Sequence, residues 1–153
     1  MTSASSTTSA SSTAPAATGT VSWGSTAAAA GIGAAGGLVI NSLIAWAGRR
    51  LFDVPDEFRQ LTLPVFATLT VIGAFIGAIG WHLIATRSRR ATRLLTVLVP
   101  VVLVLSLFPD TLLLVTRSQP GTTTAGVLAL MLMHFGVAAA AVPAYRRFIP
   151  PQS

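Results

Sequence analysis

The chain has 153 residues and no cysteine, and its 10 basic residues, all arginine, stand against only 4 acids. With 9% of residues charged, 52% hydrophobic and a mean hydropathy of +0.73, it lacks the charged exterior that about a quarter of a soluble protein's residues supply. That composition excludes a water-soluble domain, a disulfide framework and any thiolate nucleophile or thiolate metal site.

The net charge of +6 could suggest a nucleic-acid partner. The arginines, however, are not gathered into a basic arm. They form short clusters beside apolar runs, at Arg49-Arg50, Arg87 to Arg93, and Arg146-Arg147, as membrane flanks do. The partner implied is a lipid bilayer, and no nucleic acid is expected.

Residues 1–25 are nearly all Ser, Thr, Ala and Gly, with Pro15 and Trp23. They offer too little apolar surface to offset chain entropy and are read as a disordered tail. No Lys or Arg precedes the first apolar run, so the stretch is not read as a signal peptide.

The first span is placed at 27–48, about 33 Å of helix, enough to cross a hydrocarbon core of about 30 Å. The loop 49–62 carries Asp53, Asp56 and Glu57. The second span is placed at 63–85, with Pro64 in its first turn and Trp81-His82 near its far end, where amphipathic rings favour the interface. Leu94 to Leu107 alone reaches only about 21 Å, so the third span is extended to 94–115 with a kink at Pro109. The fourth is placed at 125–144.

The expected fold is therefore all-α: an integral membrane four-helix transmembrane bundle over 26–148, behind the disordered tail. Short second and third connections make neighbouring helices antiparallel. The arginine bias, six on the side of the termini against four on the other, puts both termini in the cytoplasm.

Gly31-Ile32-Gly33-Ala34-Ala35-Gly36 reads G-x-G-x-x-G, and Asp53 follows at about the distance of a ribose-binding acid. A dinucleotide site needs a strand before those glycines, and here four alanines precede them inside a lipid-spanning run. Packing explains them better. Gly33, Gly37 and Asn41 share one helix face with Ala45 and Gly48, and Gly73 and Gly77 repeat the spacing in the second span. Small residues let helix backbones approach where lipid removes the hydrophobic drive between them.

Four polar positions fall inside the spans: His134, Asn41, Ser106 and Asp110. Such groups turn inward and find partners. His134 is either hydrogen-bonding glue between helices or a proton acceptor on a polar path, with Asn41 or Ser106 tuning it. Asp110 is expected near the outer interface, capping the piece after Pro109. No H-E-x-x-H, paired intramembrane carboxylates or G-x-S-x-G is present, so no enzyme, cofactor or metal is expected.

The run Leu130-Met131-Leu132-Met133-His134-Phe135-Gly136-Val137-Ala138, followed by Val142-Pro143 and Arg146, resembles a four-helix bacterial membrane family common in actinobacteria, domain of unknown function 6069. The stretch from Arg89-Arg90 through Thr96, Leu105-Ser106-Leu107 and Pro109 is similar to that family's third-helix region. The likeness covers about residues 30–148. It implies a plasma-membrane location and four helices, and supplies no activity. Two readings of function stay open: a self-associating or accessory bundle, and a small transporter or channel component with His134 on a polar path.

Overall fold

A computed structural model describes residues 21–151. The elements are helices: α1 (Trp23–Leu51), a 3-10 turn (Arg59–Leu61), α2 (Leu63–Arg87), α3 (Ala91–Ser106), α4 (Phe108–Thr116) and α5 (Thr124–Phe148). Taking α3 and α4 as one unit, Ala91–Thr116, four helices are long and apolar enough to cross a membrane. Each lies within a few residues of its expected position.

α1 starts at Trp23, earlier than expected, so the proposed tail gives up its last residues. The Ser22 side chain accepts a hydrogen bond from the Ser25 N–H at 3.1 Å, which caps the helix. Four alanines then carry the helix toward the membrane, since alanine has the best helix propensity. The disordered-tail reading for residues 1–20 lies outside the described residues.

α1 packs along α5 and against α2, and its buried face is the expected stripe: Gly33, Gly37, Asn41, Ala45 and Gly48 are all buried. A Cβ at Gly33 would lie 3.0 Å from the Ala141 backbone, and one at Gly37 would lie 3.0 Å from the Thr70 methyl. These glycines allow a close approach that a larger residue would prevent. The G-x-G-x-x-G letters lie wholly inside this helix, with no strand before them.

α2 differs from expectation. Its buried stripe is Thr70, Ala74, Ala78 and Ala85, one residue on from the glycines. Gly73 is exposed and a Cβ there would meet nothing within 4 Å, while Gly77 stands beside the Tyr145 hydroxyl of α5. Advancing one residue turns the helix by about 100°, which carries Gly73 from the seam to the outer surface.

The third span is broken rather than kinked at Pro109. α3 ends at Ser106, Leu107 bridges, and Pro109 stands at the start of α4, where its missing N–H has no intrahelical partner to lose. Pro100 lies within α3 without breaking it. Only Ala91 and Leu95 of α3 and Asp110 of α4 are buried, so the α3–α4 unit is the least enclosed of the four spans.

Two core clusters close the bundle. At the end holding the chain termini, Ala29, Ala30, Ala78, Trp81, Ala85, Leu95, Tyr145 and Ile149 pack together. Trp81 donates its indole N–H to the Ile149 carbonyl at 2.9 Å, and the Tyr145 hydroxyl donates to the Ala74 carbonyl. At the other end the α1–α2 loop folds inward. Phe58 and Leu61, fully enclosed, pack with Val54, Phe66, Val127 and Met133. Arg49 pairs with Asp56 at 2.6 Å above this plug.

Candidate functional site

α4 and α5 run side by side from a short turn. Arg117 ends α4 in the left-handed region, and Thr123 caps α5 by accepting the Gly126 N–H at 3.0 Å. Going up from that turn, Asp110 comes after about 10 Å of α4 and His134 after about 15 Å of α5. They meet there: His134 Nδ1 lies 3.2 Å from Asp110 Oδ2. Asp110 lies in the first turn of α4, after Pro109 as the sequence suggested, but makes no capping hydrogen bond there. It is a buried acid that meets histidine inside the bundle, because the break at Leu107 lets α4 lean onto α5.

The same Nδ1 lies 2.9 Å from the Leu130 carbonyl, one turn back on α5. A neutral imidazole carries one hydrogen, on one nitrogen or the other. With the hydrogen on Nδ1, the ring donates to the Leu130 carbonyl. Asp110 Oδ2 is buried without a hydrogen-bond partner, so its approach to His134 is a close polar contact. The histidine side chain remains 36% exposed, against 11% for the aspartate.

The other nominated residues do not join this pair. Asn41 is buried between α1 and α2 and donates from Nδ2 to the Thr70 hydroxyl at 2.9 Å. Its Oδ1 has no partner and faces Gly136 of α5, where a Cβ would lie 3.1 Å away. Ser106 donates to the Leu103 carbonyl within α3 at 2.7 Å, and the break at Leu107 separates it from the Asp110 face. Neither residue holds a hydrogen bond to His134.

A second polar cluster was not anticipated. His82 is buried near the terminal end of α2. Its Nδ1 lies 2.7 Å from the Thr26 hydroxyl of α1, and Trp23 stacks on its ring at 4.1 Å with a 23° tilt. Trp23, the lone aromatic in a run of Ser, Thr and Ala, was the available signal. His82, expected as an interfacial ring, ties α1 to α2.

No curated protein and no solved structure matches the chain. The family of unknown function DUF6069 does match, over residues 14–150, which takes in all four spans, the His134–Asp110 pair and part of the segment before α1. The chain belongs to that family.

Proposed function

We propose that the protein is a non-enzymatic, multi-pass component of a bacterial plasma membrane that works by self-association or as an accessory to another membrane protein. The observation that carries this reading is His134. It stands near the middle of the 25-residue α5 and stays 36% exposed even with Asp110 against it. An ionisable ring facing hydrocarbon is costly, so a second chain that covers it gains more than one covering leucine. α2 supports the same reading, because Gly73 and Gly80 are exposed with open space around them, where another helix can come close. Six arginines on the terminal side against four on the other support cytoplasmic termini.

The chain has no native cysteine, so a single one reports cleanly. Phe135→Cys, exposed beside His134, should give chain-to-chain cross-links in native membranes. Gly73→Ile with Gly80→Ile should lower that yield. No cross-linked dimer at Phe135 would sink self-association.

A second reading, a transporter or channel component with His134 on a polar path, is favoured by the Asp110 contact, which supplies the acid that a proton relay needs. In that case His134→Ala should abolish a pH-dependent flux in proteoliposomes while helix content stays intact. Unchanged flux, or lowered stability alone, leaves the histidine as helix-to-helix glue.

A further inference from the structure

The two ends of the bundle differ in charge far more than the arginine count conveys. At the terminal end Arg87 closes α2, Arg89 and Arg90 form the turn, Arg93 sits in the first turn of α3, and Arg146 and Arg147 sit in the last turn of α5. All six are exposed, and none has a carboxylate partner among the described residues. Residues 1–22 and 148–153 contribute no acid. At the opposite end Arg49, Arg50, Arg59 and Arg117 share the surface with Asp53, Asp56 and Glu57, and Arg49 is already paired with Asp56. Nearly the whole net charge of +6 therefore stands at one end.

The packing gathers these arginines around one point. Ala85, Leu95, Tyr145 and Ile149, from α2, α3, α5 and the residue after α5, belong to a single buried cluster. Arg87, Arg93, Arg146 and Arg147 lie within one helical turn of its members. They leave the helices where the apolar spans end, at the depth of lipid phosphates, and guanidinium groups bind phosphate oxygens in a two-pronged fashion. A nucleic acid or an acidic protein would have to come to the membrane surface to reach them. A headgroup phosphate is already there.

We infer that the terminal end of the bundle is a binding surface for anionic phospholipid headgroups, and that the chain prefers bilayers rich in such lipids. This inference goes beyond the proposed self-association and does not depend on it. Each arginine close to an anionic surface strengthens binding roughly fivefold, an attraction that fades over a Debye length of about 10 Å at 0.1 M salt and over a shorter distance as salt rises.

The test is native mass spectrometry of the full chain in detergent, incubated with phosphatidylglycerol or phosphatidylcholine. Phosphatidylglycerol should be retained at several-fold higher occupancy. Combined Arg87→Gln, Arg89→Gln, Arg90→Gln and Arg93→Gln should remove that preference, whereas Lys at the same four positions should keep most of it. Arg50→Gln with Arg59→Gln at the opposite end should leave it unchanged. If the glutamine variant fails to fold, raising the salt around the unaltered chain asks the same question, because the preference must then collapse. Equal retention of the two lipids, a preference that salt does not touch, or an equal loss in the opposite-end variant would overturn the inference. So would retention of a short oligonucleotide with no preference between lipids.

Discussion

His134 and Asp110 show how much one contact can change a reading of the chain. Each is an isolated polar residue in the sequence, and together they form one close polar contact at the α4–α5 seam. Asp110→Leu leaves His134 with only the Leu130 carbonyl and should loosen the packing of α4 on α5, seen as faster hydrogen exchange across 108–116. Unaltered exchange there would mean that the pair does not hold the two helices together. Asn41→Ala removes the hydrogen bond to Thr70, and such bonds between membrane helices contribute about 0.6 kcal/mol on average. A loss near that size in reversible detergent unfolding is expected, and a loss above roughly 2 kcal/mol would mean Asn41 does more than bridge two helices. Gly121 has a positive φ of +68°, and a Cβ there would lie 2.8 Å from the Phe58 backbone nitrogen. Gly121→Ala should therefore cost about 1–2 kcal/mol through the left-handed backbone alone, with the clash added, and lower the thermal midpoint in detergent.

The elements make a sharper division among glycines than their spacing suggests. Gly33-x-x-x-Gly37 lies on the α1–α5 seam, and Gly73-x-x-x-Gly77 lies at the edge of α2 with Gly73 open to the outside. Gly33→Leu should destabilise an isolated chain in detergent, whereas Gly73→Leu should leave its midpoint unchanged. Equal effects would contradict this placement.

The four spans and the α1 stripe were legible because long apolar runs and small residues every fourth position have few alternative explanations. The α2 seam was not, since glycine and alanine are both small and a one-residue shift exchanges them. The pairing of Asp110 with His134 was partly legible. Two antiparallel helices joined by a tight turn bring residues at similar distances from that turn to similar depth. The expectation of a cap at Asp110 hid this, because it assigned the carboxylate to the backbone of the piece after Pro109 and not to the neighbouring helix. The link between His82 and Thr26 depended on α1 beginning in what composition alone describes as tail.

At the scale of the molecule, α1 and α5 form the most intimate pair, α2 joins them, and the α3–α4 unit lies along the outside. That arrangement gives the outer unit freedom to bend at Leu107 and brings its one acid to the one histidine of α5. It also leaves a strongly basic terminal end and a nearly balanced opposite end, capped by the folded loop around Phe58. The architecture thus brings one acid and one histidine together between helices long and apolar enough to cross a membrane.

The most direct test of that pairing uses the cysteine-free chain in its own membrane. With a protease site inserted in 117–123, Asp110→Cys combined with His134→Cys should be bridged by a short reagent carrying two thiol-reactive groups, so that the two fragments stay joined after cleavage. Asp110→Cys combined with Leu132→Cys, on the exposed side of α5, should fall apart. Fragments that separate in the first variant, or stay joined equally in both, would contradict the account.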